Sequence, residues 1–578
     1  MNGWWNKLAT VDLSSGEISH EKIGLDILKK YIGGRGLGAK ILWDEIDPDC
    51  DPLSENILVF ASGPLTGTMV PTSGRFSVTS KSPLTGTIAD SNVGGFFGRE
   101  FKRCGIDAMI VEGKAEEPSI IKITEDGIAI ETTDLWGETV SSTLEKIENE
   151  AAVIGPAGEN LVKYASIVTH GERVFGRNGM GAVMGSKNLK AITADGNKKV
   201  PVYDKESLKT FVKQSRSKIS SSPVTSRGLK QFGTPILVNL LNWLGMFSKN
   251  NFNEASGEEA DNLSGETMKK EIVKEHTGCY ACPIRCGLKT HTKDMEGKGP
   301  EYESVWALGA NIGIFDLETV TEANYLCNDL GMDTISTGGT IACAMEMSEK
   351  GLWDKTPGFG SDPKDLIKKT ALREDVGDEL AEGSAELCRR YDCDFSMSVK
   401  GMELPAYDPR GASGQALSFA TSNRGGCHLR GYLIGEEIFG VPKLFDRFKT
   451  GGKPEVVKRS QERNAYLDSL ILCKFSSFAL DEKFYSRFIR ATTGLDLKIT
   501  DLHRVGERIY NLERKFNTEA GFDRENDTLP KRFSEPLKKG ASSGNTFDLD
   551  KMLDEYYSIM GWDENGKPKK ETLERLGI

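Results

Sequence analysis

Three cysteines within eight residues, Cys279-Tyr-Ala-Cys282-Pro-Ile-Arg-Cys286, constrain this chain more than any other feature in it. Thiolates this close converge on one soft metal centre, and tetrahedral zinc and cubane iron–sulfur clusters both take four ligands. The fourth must come from a distance. Cys473, in Asp468-Ser-Leu-Ile-Leu-Cys473-Lys-Phe at the end of an expected helix, is the best-placed thiol. The rival is a structural zinc, which usually carries a second Cys/His pair at short spacing. Here the next histidine is His291 and no second CxxC follows. A [4Fe–4S] cluster is the leading expectation, and with it a chain that moves electrons.

At 578 residues the chain is too long for one hydrophobic core, so two to four domains are expected. Its net charge of −11, from 74 basic and 85 acidic residues, argues against a nucleic-acid partner, which needs a basic footprint. No apolar N-terminal leader and no apolar run of membrane-spanning length is present, so no membrane partner is expected. The eleven cysteines are scattered and odd in number, which fits a reducing cytoplasm better than a disulfide framework.

The N-terminal third alternates short β-like runs with glycine-rich turns. Gly33-Gly-Arg-Gly-Leu-Gly38 opens a helix-like stretch over 39–46, but it lacks the strand and acidic residue of a dinucleotide-binding unit. Four more glycine segments follow between Ser62 and Gly98, and another runs from Gly176 to Ile192. Singly they read as tight turns. Together they favour a wrapped, phosphate-bearing cofactor, because glycine lets backbone amides approach an anion closely. A short polar helix is expected over 144–150, and from about Asp204 the periodicity becomes helical, with 379–391, 461–472 and 502–516 among the expected helices. Gly299-Pro-Glu-Tyr-Glu303 precedes an apolar run, where Glu303 is either an acid–base group or a helix-start acid. His428, after two glycines in Arg424-Gly-Gly-Cys-His428, is either close to a ligand or structural.

These residues carry a resemblance. Ser73-Gly-Arg-Phe, Ser82-Pro-Leu-Thr-Gly, Gly181-Ala-Val-Met-Gly-Ser-Lys-Asn-Leu-Lys, Gly299-Pro-Glu-Tyr-Glu, Arg424-Gly-Gly-Cys-His and the four cysteines resemble the tungsten-containing aldehyde:ferredoxin oxidoreductases over nearly the whole chain. The resemblance implies an α+β fold. A β-rich N-terminal cofactor-base domain (1–200) is followed by two mainly helical domains, 201–396 with the cluster motif and 397–578 with Cys473, enclosing a metal–pterin site. It implies tungsten, with molybdenum as the alternative, held by two pyranopterins beside a [4Fe–4S] cluster, and magnesium bridging the pterin phosphates.

On the matching positions, Arg75 lies between cluster and pterin, Asn92 helps hold magnesium, and Arg177 with Gly181 belongs to a cofactor-phosphate segment. Asn328 and Asp333, then Asp468 and Leu472, lie in two pterin-binding segments. Their pattern is acid, two residues, glycine, leucine, then Asp or Cys. The chain departs from it with Asn328 for the leading acid and Ile471 for glycine. Glu303 and His428 match an acid–base pair facing the metal. Glu322 matches one acid of a metal site bridging some family dimers, but no histidine occurs between His291 and His428. The implied reaction oxidises an aldehyde to a carboxylic acid and passes electrons to ferredoxin or a ferredoxin-like subunit, in a cytoplasmic homodimer or larger complex. The rivals are a benzoyl-CoA-reductase-like catalytic subunit, or another reductase on the same scaffold, and a non-catalytic cofactor-binding or assembly subunit.

Overall fold

The computed structural model describes residues 2–578. Its first third builds two six-stranded sheets. The first contains β1 (Lys7–Asp12), β2 (Ile18–Lys22), β3 (Leu58–Ala61), β4 (Phe76–Lys81), β5 (Ile88–Val93) and β6 (Ala108–Glu112), in the order β2-β1-β6-β3-β4-β5. Only β1 and β6 run parallel; the other pairs are antiparallel. The second contains β7 (Ser119–Thr124), β8 (Ile128–Thr132), β9 (Glu150–Val153), β10 (Ile167–Thr169), β11 (Arg173–Phe175) and β12 (Leu189–Asp195), in the order β11-β10-β9-β12-β7-β8.

Strand periodicity decides what each face buries. Ala9, Val11, Leu58, Phe60, Met109 and Val111 pack towards Ile121, Ile123, Ala152 and Ile192 of the second sheet. Their neighbours Leu8, Val59, Ala61, Ala108 and Ile110 face the other way, into a core completed by helices from both ends of the chain. Those helices include Gly34–Glu45, Lys453–Leu470, Glu482–Thr493 and Ile499–Glu519. The inner strands of the first sheet are thus buried on both faces, β3 and β4 having no exposed residue, while the edge strand β2 is largely exposed.

The glycine string at 33–38 makes the first turn of the helix Gly34–Glu45 rather than a loop ahead of it. Its glycines serve packing: a Cβ on Gly36 would lie 2.4 Å from the Tyr31 carbonyl oxygen, and one on Gly38 would lie 2.2 Å from Thr79 Oγ1. The middle of the chain is helical, with Tyr302–Ala307, Leu317–Leu330 and Thr334–Glu349 around a core that also draws in Tyr164 and Ala182. Two sequence expectations shift: the helix expected over 144–150 spans Val140–Lys146, and that over 379–391 divides into Val376–Leu380 and Ser384–Tyr391. No helix among the described residues is long and apolar enough to cross a membrane.

Candidate functional site

The four cysteines expected to hold a cluster come together because two loops of the first sheet hold both segments that carry them. Thr72 and Gly95 do the holding: the Cys473 amide donates to the Thr72 carbonyl at 3.1 Å, the Tyr280 amide to that of Gly95 at 3.1 Å, and the Thr72 amide to that of Ala281 at 3.4 Å. Glycine is needed where the loops touch the cysteine segment. A Cβ on Gly94 would lie 2.6 Å from Cys279 Sγ, and one on Gly74 would lie 2.8 Å from the Tyr280 nitrogen. The cysteine loop is itself tightly wound, with Ala281 and Arg285 both in the left-handed region at φ 53° and 51°.

All four thiols are half-buried and unpaired. Burial, with the neighbouring Cys473 and Cys279 adding to it, pushes the Cys282 thiol up to about 12, and the same causes together with Glu301 raise Cys286 well above its ordinary value. Arg75, immediately before β4, faces this group. Its Nη2 lies 3.7 Å from Cys473 Sγ and its Nη1 donates to the Asn92 carbonyl at 3.2 Å. Burial works against its charge, but Cys473, Cys279 and Cys286 more than offset that and hold it firmly protonated. Among the described residues, no three ligand-type side chains close around a single ion.

A cavity of about 1160 Å³ begins at this wall. Arg75, Asn92, Arg177, Glu303, His428, Asp468, Leu472 and Cys473 all line it, so most of the expected site residues meet in one space. It continues between apolar walls at Leu229, Leu237, Leu240 and Phe439 to Arg459, Lys483 and His503. Gly181, Asn328 and Asp333 are not among the lining residues. A Cβ on Gly181 would lie 2.6 Å from the Ser166 carbonyl oxygen, so its absence lets the helix Met180–Ser186 seat. Asp333 caps the helix Thr334–Glu349 by accepting from the Ile335 and Ser336 amides, and pairs with Arg177 Nε at 3.0 Å. Arg177 also donates to the Gly426 and Glu403 carbonyls at 3.0 and 2.6 Å, which ties it to the loop bearing His428. Ile471 turns away from the cavity and fills the notch over Gly34 and Gly63. Glu322 is taken by Lys364 at 2.6 Å.

Glu303 occupies the first turn of the helix Tyr302–Ala307, so it is both a helix-start acid and a cavity residue. The Ala406 amide donates to its Oε2 at 2.8 Å, while Oε1 has no hydrogen-bond partner and lies 3.5 Å from His428 Nε2. Burial pushes the Glu303 carboxyl up to about 7, against the Ala406 hydrogen bond and the Arg177 charge. Burial, aided by Arg177, Lys474 and Arg424, pulls His428 well below its ordinary value. Near neutrality the pair therefore comprises a neutral imidazole and a carboxyl poised between its two forms. Tyr407 and Tyr432 enclose it, their ring centroids 5.5 and 6.2 Å from that of His428.

Beside the pair lies a buried charge network, and the sequence did not single out Asp90, Arg430 or Glu513 within it. Arg430 Nη1 bonds Asp90 at 2.5 Å, and Arg424 donates to the Asp90 carbonyl. Arg35 makes a bidentate pair with Glu513 at 2.6 and 2.7 Å, and lies 3.5 Å from Asp90 and 3.6 Å from Asp468. Burial would raise Asp90, but Arg430 and Arg35 overcome it and hold the carboxylate ionised. The network's traces in the sequence were Asp468 in a pterin-binding segment, Arg424 in the motif of His428 and Arg35 in the glycine string. Around the same cavity Asn92 Nδ2, Asp90 Oδ2, Arg430 Nε and His428 Nδ1 are buried without partners. Buried polar atoms are rarely left unpaired, so this wall suits a polar ligand.

Comparison with known proteins covers the whole chain. Residues 8–196 match the model of the aldehyde ferredoxin oxidoreductase N-terminal domain, and residues 210–578 that of domains 2 and 3. A tungsten-containing aldehyde ferredoxin oxidoreductase of Pyrococcus furiosus is 47% identical over 100% of this chain and 99% of its own length. The WOR-like subunit of an aliphatic sulfonate oxidoreductase from the same organism is 30% identical over 100% and 97%. Among solved structures, the active-site complex BamBC of benzoyl coenzyme A reductase with 1,5-dienoyl-CoA aligns at a TM-score of 0.85 and 25% identity, covering 100% of this chain and 97% of that one.

Proposed function

The chain belongs to the aldehyde ferredoxin oxidoreductase family, and from that premise we propose that it oxidises an aldehyde to its carboxylic acid, RCHO + H2O → RCOOH + 2 H⁺ + 2 e⁻, with ferredoxin as the acceptor. The family implies a tungsten pterin centre, and when bound that centre supplies the two-electron chemistry no side chain can perform. The unpaired polar atoms of the cavity wall support this fit. Asn92, Asp468 and Leu472 would hold the pterins from inside the cavity, with magnesium at Asn92. Arg177 would join them from the cavity wall, held by Asp333, with Gly181 and Asn328 in the neighbouring cofactor segments. Cys279, Cys282, Cys286 and Cys473 would hold the [4Fe–4S] cluster, with Arg75 between cluster and pterin.

Glu303 is the proton acceptor in this reading. Its Oε2 is held by Ala406, its free Oε1 takes a proton from the attacking water, and a carboxyl near pH 7 can pass that proton on. His428 stays neutral, so a ring N–H can hydrogen-bond the substrate oxygen without adding a buried charge. Tyr407 and Tyr432 exclude bulk water from the pair. Electrons would leave where Tyr280 of the cysteine loop, with Arg99 5.1 Å from its ring centre, meets the exposed Phe96.

The observation that carries this reading is that one cavity holds the Glu303–His428 pair, Arg75 and Cys473. The test is anaerobic turnover of acetaldehyde and benzaldehyde with a viologen acceptor, alongside tungsten and iron content. Glu303→Gln and His428→Ala should each keep their metals and lose on the order of a hundredfold in turnover. Near wild-type turnover by a fully metallated Glu303→Gln would remove Glu303 from this role.

A further inference from the structure

One stretch runs against the charge of the whole chain. No aspartate or glutamate occurs between Glu206 and Glu254, although the net charge is −11. The stretch begins in the helix Lys205–Ser221, which buries Leu208, Val212, Ser215 and Ile219. Lys205, Lys209, Lys213 and Arg216 are exposed and recur at helical spacing, so they line one flank. Like charges at these spacings repel, and Lys205 opens the first turn, where the helix dipole favours an acid. Among the described residues, only Lys209 of this line meets a carboxylate, Glu206 at 2.7 Å. The helix therefore gains no stability from carrying these cations together. The neighbouring helix Glu482–Thr493 extends the charge: Arg487 lies over the Phe211 ring at 5.6 Å, and Lys218 over that of Phe484 at 5.9 Å.

This surface borders the cysteine site at both ends. Just past the helix, Ser222 Oγ donates to the Phe478 carbonyl at 3.2 Å, in the short helix Lys474–Phe478 that follows Cys473. Further along, a Cβ on Gly233 would lie 3.1 Å from the Cys286 carbonyl oxygen. Just before the helix, Tyr203 is 65% exposed, and Val200 packs on Gly67, where a Cβ would lie 3.2 Å from Val200 Cγ2. Tyr280 Oη is 3.5 Å from the Gly67 carbonyl oxygen, so the basic flank adjoins the exit at Tyr280 and Phe96.

We propose that the basic flank of Lys205–Ser221 is where the electron acceptor docks, and that the acceptor is a small carrier protein presenting an acidic face. Docking here presupposes the cluster reading of the four cysteines and adds to it the surface and the charge of the partner. An acidic carrier is repelled by a chain of net charge −11, but opposite charge within a Debye length of about 8–10 Å decides the encounter. A helix of 17 residues is about 26 Å long, several such lengths, and offers a positive strip leading to the cysteines. Charge arranged in this way sets the rate and orientation of association more than its final affinity. A nucleic acid would meet the same charge but would gain nothing from its place beside the cysteines.

The test uses the anaerobically purified holoenzyme with two acceptors, a [4Fe–4S] ferredoxin of acidic isoelectric point and benzyl viologen, which is too small to need the surface. Lys209→Glu/Lys213→Glu/Arg216→Glu should keep acetaldehyde turnover with viologen within about twofold and lose at least about tenfold in kcat/KM for ferredoxin at low salt. Raising the salt to about 0.5 M should bring the wild type down towards the variant. Ferredoxin binding, read by titration calorimetry on the oxidised proteins, should weaken in the same variant. That readout needs no turnover, so a wild type that fails to oxidise acetaldehyde would count against the aldehyde reading while docking is still decided by binding. Unchanged ferredoxin kcat/KM and affinity in the triple variant, or an equal loss with both acceptors, would overturn the proposal. So would duplex DNA binding that the variant abolishes while ferredoxin binding stays. Lys209→Gln/Lys213→Gln, which only removes charge, should lose at least about threefold with ferredoxin alone and keeps the test decisive if the reversed variant does not fold.

Discussion

At the scale of single residues, burial decides how Glu303 and His428 behave, by favouring the uncharged form of each. For Glu303 this couples stability to pH. Its folded value of about 7 lies above the ordinary 4.5, so the native state keeps a proton that the unfolded chain has released. The contribution is full below about pH 4.5 and is lost as pH rises through 7, amounting to on the order of 3 kcal/mol across that window. Thermal unfolding from pH 4.5 to 8 should therefore fall more steeply for the wild type than for Glu303→Gln; parallel curves would contradict it. The residues alone left Glu303 and His428 each between a functional and a structural role, and the resemblance was what paired them. Tyr407 and Tyr432 were not legible, since nothing local separates a tyrosine lining a cavity from one filling a core. Arg35 was hidden inside a glycine string that itself serves close packing.

At the scale of elements, His503 joins three helices. It stands on Ile499–Glu519, with Nδ1 2.9 Å from Glu462 on Lys453–Leu470 and Nε2 3.0 Å from Glu482 on Glu482–Thr493. Burial alone would discharge it, but the two carboxylates win and raise it to about 9. A raised histidine stabilises fully below its ordinary 6.5, and that contribution disappears as pH climbs through 9. His503→Gln should cost on the order of 3 kcal/mol at pH 6 and little at pH 10, read from unfolding at both values. Equal losses would show that packing rather than charge is at stake.

Periodicity located two of these helices, over 461–472 and 502–516, but not Glu482–Thr493, and the ends were harder to read. The helix expected over 461–472 runs from Lys453 to Leu470 because Pro454 sits in its first turn, where proline starts a helix rather than breaking one. Its far end carries Ile471 in the left-handed cap at φ 61°, as Gly331 caps Leu317–Leu330 at φ 78°. A β-branched residue there bears strain of about 1–2 kcal/mol, and the snug contacts of Ile471 with Gly34 and Gly63 offset it.

At the scale of the whole molecule, the two ends of the chain close on each other. The Arg35–Glu513 pair spans 478 residues, and Glu513 also accepts from Asn423 Nδ2 at 3.0 Å. No local pattern could have revealed such a pairing, whereas the β-rich start and helical remainder followed from periodicity. Removing one member of a buried pair strands the other, so Glu513→Ala should cost about 3–5 kcal/mol. Arg35→Met combined with Glu513→Met should recover much of that loss in denaturant unfolding; additive losses would mean that the pair is not coupled.

The same closure sets an order on biosynthesis. The face of the first sheet formed by Leu8, Val59, Ala61 and Ile110 is covered by helices that include Lys453–Leu470 and Ile499–Glu519. A ribosome adding about 5–20 residues per second needs roughly 20–80 seconds to pass from the last strand of that sheet to the end of the last of those helices. Throughout that interval the nascent chain carries an apolar face whose partner has not yet been translated. The cavity is likewise incomplete, because Asp468, Leu472 and Cys473 are among its walls. Cofactor loading is therefore an event after translation, on a chain that has needed shelter until its final helices were made.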